Sequence, residues 1–283
     1  MNKVSSGWGR LLVVACLLFA AGAQAAEAKA KPLKALLLIG GCCHDYAAQK
    51  EILKSGIEAR ANVVVDVIYS PETNTKPAFP IYGNAKYADG YDVVIHDECA
   101  ADIKDPAVVE GVLAPHKAGI PGVNIHCGMH CYRTAADVKV AQEPGTPGAL
   151  WFDYLGLQSS GHGPQKPIDI TFVDKAHPVA IGMNDWTTIK EELYNNIAVR
   201  DGVKVIARGK QEPNDKPNFT ESAIVWTNLY GDKKTRVWST TLGHNNETVS
   251  DARYLDLVTR GVLWAAGKLD DSGAPAAGYG PAK

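Results

Sequence analysis

The sequence has little of what marks a nucleic-acid or membrane-surface protein. Its 29 Lys and Arg residues stand against 31 Asp and Glu, a formal net charge of −2, and no basic run is longer than a pair. That balance leaves no electrostatic footprint for a phosphate backbone or an anionic bilayer, so small molecules are the expected partners and nucleic acid is not. Internal repeats are lacking, as are low-complexity segments in the core of the chain, which excludes solenoid architectures. Also lacking is an apolar run that could span a bilayer. The run LLVVACLLFAA (residues 11–21) is about a dozen residues, where a hydrocarbon core of roughly 30 Å needs about 20. With 283 residues, 46% of them hydrophobic, one sizeable core can form and no second domain is required.

The same short run has the form of a secretory signal. Lys3 and Arg10 precede it, and Ala23-Gln24-Ala25 offers an A-x-A cleavage site, so residues 1–25 are read as a signal peptide and the mature chain as beginning near Ala26. This places the protein in the periplasm or outside the cell, without a stable membrane anchor. A lipoprotein reading through Cys16 is weaker, because Val13-Val14-Ala15 is an imperfect lipobox. Residues 26–31 look like a short tether, residues 269–283 like a disordered tail, and residues 32–268 like the folded domain.

Within that domain short apolar runs alternate with helical stretches, the signature of an α/β protein with a mostly parallel sheet covered by helices on both faces. LKALLLIGG (33–41), NVVVDVIY (62–69), YDVVIHD (91–97) and GVNIH (122–126) read as the first four strands. Helices are expected over Ala47–Ala61, over Asp105–Lys117 and again in CGMHCYRTAADV (127–138). PIDITFV, VKVIAR, SAIVWTNLY and TRVWSTTLG read as later strands, and Ser250–Ala266 as a closing helix.

Ligands of open α/β sheets collect beyond the carboxyl ends of the strands, and there the sequence concentrates its imidazoles and thiols. His44 with Cys42 and Cys43 follows the first strand, His96 and Cys99 the third. His126, Cys127, His130 and Cys131 follow the fourth strand, and His244 the last. Three neutral imidazoles converging from separate loops are a common ligand set for zinc, with an open position for substrate. The set His44, His126 and His244 is therefore the candidate metal site, with His130 or Glu192 as further ligands; the alternative is a metal-free polar pocket. Five cysteines remain once Cys16 of the six is removed. An oxidising compartment favours a disulfide joining Cys43 or Cys99 to Cys127 or Cys131, the alternatives being thiolate metal ligation and, least favoured, a catalytic Cys127.

VNIHCGMH (123–130) has the strand–turn–helix form of a nucleophile elbow. It resembles the elbow of class I glutamine amidotransferases, with His126 where their cysteine stands and Cys127 one residue late. His244 matches their histidine, but Asn246 occupies the place of their glutamate. Taken with Gly40-Gly41 and His44, His177-Pro178, Glu191-Glu192-Leu193-Tyr194, Leu242-Gly243-His244 and Arg260-Gly261-Val262-Leu263-Trp264-Ala265, the chain resembles the ThuA-like family, named for trehalose utilisation. The resemblance covers most of Pro32–Lys268. It implies a flavodoxin-like three-layer sandwich of the class I glutamine amidotransferase type, and a carbohydrate or keto-sugar as the small-molecule partner. It also favours Glu192 as a pocket-facing general acid/base rather than part of a solvated helical turn. His126, His244 and Glu192 are thus the candidate catalytic residues, and Tyr46, Tyr194, Arg133 and His130 the candidate substrate-binding residues. An enzyme for hydrolysis, elimination or isomerisation is the leading expectation, a non-catalytic carbohydrate-binding protein the second, and a glutamine amidotransferase the third.

Overall fold

The computed structural model describes Met1, residues 30–212 and residues 221–281. The expected signal peptide, and the tether up to residue 29, lie outside the described residues.

The chain opens with β1 (Leu33–Gly41), almost wholly buried, as an unbroken apolar run requires when both faces of a strand are covered. Asp45 caps α1 (Tyr46–Glu58) by accepting a hydrogen bond from the Ala48 amide, which satisfies a donor the helix itself leaves open. β2 (Val63–Ser70) alternates more than β1 does, in keeping with its place at the sheet edge. β3 (Val93–Cys99) is buried throughout. Asp105 caps α2 (Pro106–Ala118), which ends on the left-handed Gly119. β4 (Gly122–Ile125) runs into a 3-10 helix, His126–His130. Then come α3 (Leu150–Leu155), β5 (Leu157–Lys166), β6 (Ile168–Phe172), β7 (Trp186–Thr187), β8 (Glu191–Val199), β9 (Lys204–Gln211), β10 (Glu221–Tyr230) and β11 (Thr235–Thr240), followed by α4 (Asn246–Val249) and α5 (Ala252–Ala265).

Nine strands form one sheet in the order β2-β1-β3-β4-β11-β10-β9-β6-β7. β2, β1, β3, β4 and β11 are mutually parallel neighbours. Beyond them each step is antiparallel, so only β10 and β6 run against the rest. One apolar cluster joins this sheet to α1 and α5, and a second joins the opposite face to α2 and α3. These are the three layers expected. β5 and β8 pair separately as an antiparallel ribbon, and it is this ribbon that reaches over the carboxyl ends of the parallel strands.

Two expectations need correction, and one disfavoured alternative falls away. The stretch 127–138 does not form a helix beyond the 3-10 turn: Cys131 is extended and Tyr132 has φ +52°, which stops helical propagation. The KEELYNN segment is strand, not a helical turn. The segment after Lys268 is not a loose tail over its described part. Leu269 bridges to Pro275, the Asn62 amide donates to the Tyr279 carbonyl, and Lys268 lies over the Tyr279 ring. Among the described residues, no helix is long and apolar enough to cross a membrane.

Candidate functional site

Two tight backbone turns build the site. At the end of β1, Gly41 has φ +103°, and a Cβ there would stand 2.7 Å from the Cys99 carbonyl oxygen. Only glycine lets β1 close against β3 while throwing Cys42–Asp45 upward over the strand ends. At the end of β4, His126 takes φ +42°, a left-handed conformation that costs a non-glycine residue roughly 1–2 kcal/mol. Gly128 follows, where a Cβ would meet the His96 carbonyl oxygen at 2.5 Å. The strained residue of the elbow is thus the imidazole, and Cys127 lies one position past it.

From these turns and the loop after β11, three imidazoles converge. Ring centres are 4.7 Å apart for His44 and His126, 4.6 Å for His44 and His244, and 5.4 Å for His126 and His244. One ligand nitrogen from each lies within 4.8 Å of the others. Backbone carbonyls set two of the rings: His126 Nδ1–H donates to Thr241 O at 2.6 Å and His44 Nδ1–H to His244 O at 3.2 Å. Each therefore presents Nε2 as a lone pair, the orientation that outer partners impose on metal-binding histidines. His126 Nε2 is buried without a hydrogen-bond partner among the described residues, and His44 Nε2 meets only the Cys127 thiol, at 3.0 Å. Burial holds the His44 pKa at about 4, helped by the neighbouring His244. Burial and His44 likewise hold His126 well below the ordinary imidazole value. Neutral rings with an orphaned, inward lone pair suit a cation such as zinc.

The ribbon supplies the acid. Glu192 and Tyr194 project from the same side of β8, as residues two apart must. Glu192 Oε2 is 3.6 Å from both His126 Nε2 and His162 Nε2, and Oε1 is 3.3 Å from His244 Nδ1. Burial pushes this carboxyl up, but the hydrogen bond with His244 and the imidazoles gathered around it outweigh burial and hold it at about 2. In return His244 is raised: burial lowers it, and the bond and charge of Glu192 more than reverse that. Glu191 faces the other way, accepting the Gly243 and His244 amides. Burial raises it to about 7, and it anchors the His244 loop.

The remaining expected residues gather here with different surroundings. Tyr194 is fully buried and stacks on His130 at 4.1 Å with an 8° tilt. Tyr46 is also buried and packs edge-on against His44, so both rings brace imidazoles. His130 contacts Ser159 Oγ at 2.9 Å and is not one of the converging three. Arg133 lines the same cavity, with Nε and Nη2 buried and without hydrogen-bond partners among the described residues. His96 is not at this edge: its ring points to the opposite face, between Glu98 Oε1 (2.8 Å) and His116 Nε2 (3.1 Å). Two residues that no motif marks also reach the site: His162, and Gln165, whose Nε2 is 2.7 Å from His244 Nε2. The glycines on either side of His162 were the one signal of an irregular, functional strand.

The cysteines pair otherwise than expected. Cys42 and Cys43 form a disulfide between adjacent residues, while Cys99, Cys127 and Cys131 are free and buried. A bond from Cys43 or Cys99 to Cys127 or Cys131 is not made, and Cys131 is instead held by the Glu98 carbonyl and the Ala100 amide. The hydrogen bond to Cys99, together with burial, pushes the Cys127 thiol well up, and the same bond holds Cys99 down.

The inner cavity, bounded by Cys127, His130, Glu192 and Tyr194 among others, has a volume of about 170 Å³. A wider cleft of about 470 Å³ adjoins it across Cys43, His44 and His244. Among solved structures, a protein described as ThuA-like from Parabacteroides merdae ATCC 43184 is similar at a TM-score of 0.62 and 21% identity. The match covers 84% of this chain and 92% of that one. Another so described, from Bacteroides uniformis ATCC 8492, is similar at 0.59 and 18% identity, covering 88% and 97%. No curated protein matches significantly. The profile of the family ThuA, described as "Trehalose utilisation", matches residues 36–265, a span holding every residue of the converging site, and the chain belongs to that family.

Proposed function

We propose that this ThuA-family protein is an exported enzyme acting on a sugar or keto-sugar, with His44, His126 and His244 able to hold a zinc ion and Glu192 moving protons. The observation that carries the reading is the convergence of three imidazoles from β1, β4 and β11 around an orphaned buried nitrogen of His126. A zinc ion held there would supply Lewis acidity toward a carbonyl or hydroxyl oxygen. Glu192, ionised at neutral pH, would accept a proton and return it, while His244, as a ligand, would stay neutral. The adjoining cleft gives a sugar room beyond the small inner cavity, and the family description supports that substrate class. Hydrolysis, elimination and isomerisation all draw on such a carboxylate beside a Lewis acid. Glutamine amidotransfer does not suit the site, since the elbow residue is an imidazole and the adjacent thiol is pushed toward its unreactive protonated form. Export rests on the signal-like N-terminus.

The test is an assay of the mature protein on a panel of disaccharides and their keto derivatives, with and without a chelator. Turnover lost on chelation and in Glu192→Gln is the expected result. Sugar binding without turnover would instead favour a carbohydrate-binding protein of the same fold.

A further inference from the structure

The chain also carries a sulfur cluster that the acid–base chemistry does not use. Strand register pairs Gly41 with Cys99, so the first residue past β1, Cys42, is delivered beside the end of β3. Its Sγ lies 3.3 Å from Cys99 Sγ, and the sulfurs of Cys42, Cys43 and Cys99 all lie within 4.8 Å of one another. Cys43 is exposed, Cys42 partly so, and Cys99 is buried.

We propose that Cys42, Cys43 and Cys99 form a thiol–disulfide exchange centre in which the disulfide migrates from Cys42–Cys43 to Cys42–Cys99, releasing Cys43 as an exposed thiol for low-molecular-weight disulfides. The Cys99 thiolate attacks Cys42 Sγ, the Cys42–Cys43 bond breaks, and its electron pair leaves on Cys43 as a thiolate. The proton lost by Cys99 passes to solvent or to Cys43, and the step has no net oxidation. An external disulfide RSSR then gives a mixed disulfide on Cys43 and releases RS⁻.

The geometry of the strand ends favours migration. Strand pairing already holds the sulfurs of Cys42 and Cys99 side by side, so exchange demands no rearrangement of the sheet. Accessibility, which governs attack by outside reagents, falls on Cys43. Cys127 and Cys131 are poorer candidates for the attacking sulfur, being engaged with His44 and with the Glu98 carbonyl respectively.

The experiment takes the full mature protein without reductant, with and without oxidised glutathione. It is quenched with acid, denatured, blocked with N-ethylmaleimide and mapped by peptide mass. Two linkages are expected, Cys42–Cys43 with label on Cys99, and Cys42–Cys99 with label on Cys43. Oxidised glutathione should convert the second form to one bearing a single glutathione on Cys43. Cys99→Ser and Cys99→Ala should lose both the second linkage and the adduct, while Cys127→Ser keeps them. Finding only Cys42–Cys43 in the unmutated protein under both conditions would overturn the proposal, as would a Cys43 adduct that survives removal of Cys99. The unmutated map decides the matter even if a variant fails to fold.

Discussion

His126 combines three properties that seldom coincide in one residue: a left-handed backbone, full burial and a ring nitrogen without a hydrogen-bond partner among the described residues. Each costs free energy, the first roughly 1–2 kcal/mol, and strain of this kind persists where the surrounding structure fixes it for a use. Cys127 beside it has an ordinary helical role and a thiol pushed up by Cys99 and burial. Cys127→Ser should therefore keep most turnover and His126→Ala should lose it, measured as kcat/KM on whichever sugar the panel identifies. The reverse ranking would return the elbow to a thiol nucleophile. At Glu192, the carboxyl held at about 2 and the raised His244 depend on each other. Glu192→Gln should lower the His244 pKa, read from its ring proton shifts in metal-free protein; an unchanged His244 titration would show that the pair is not coupled.

At the scale of elements, the elbow works because the 3-10 turn after β4 approaches β3 closely at Gly128. Gly128→Ala forces a Cβ toward the His96 carbonyl oxygen, a backbone atom that cannot swing aside. Overpacking of this kind costs about 1–3 kcal/mol, which urea unfolding would register; an unchanged midpoint would mean that β3 yields freely. The parallel strands and the three long helices were legible in the sequence, because unbroken apolar runs and helical spacing are imposed by burial on two faces or one. The histidines at their ends were legible too, since strand ends of a parallel sheet share one edge. The ribbon was not. β5 (LQSSGHGPQK) is polar and broken by glycines, and its pairing with β8 shifts register three times, so no period of two survives. β8 begins with two glutamates that resemble a solvated turn until Glu191 is seen to bind the Gly243 and His244 amides. The adjacent disulfide was illegible for another reason: cysteine spacing does not determine connectivity, and the neighbour that positions Cys42 is Cys99, on another strand.

For the whole molecule, buried histidines make acid the weak side. His44 at about 4 and His116 at about 3, both lowered chiefly by burial, stay neutral in the fold while the unfolded chain protonates near pH 6.5. The unfolded state then binds more protons, so stability falls as pH drops from about 6.5 toward 4, by up to about 1.4 kcal/mol per pH unit for each group. Glu192 adds to this below about pH 4.5, as its depressed carboxyl loses its advantage on approach to 2; His244, Glu191 and Asp97, all raised, act in the opposite sense but are outnumbered by His44, His116, His126 and His130, all lowered. Urea unfolding of metal-free protein between pH 7 and 4 should show a falling stability, and a flat profile would contradict it. Intact mass of protein from its native host should show a chain starting near Ala26, and retention of Met1 would refute export by cleavage.

The proposed zinc site is tested most directly by metal analysis of the mature protein, purified without chelator, alongside His44→Ala, His126→Ala and His244→Ala. A shared ion requires about one zinc per unmutated chain and a loss of metal together with activity in each variant. Uptake should also strengthen as pH rises through the imidazole range, since the ion competes with protons on His244. Metal-free protein with full turnover, or variants that keep their zinc, would contradict it.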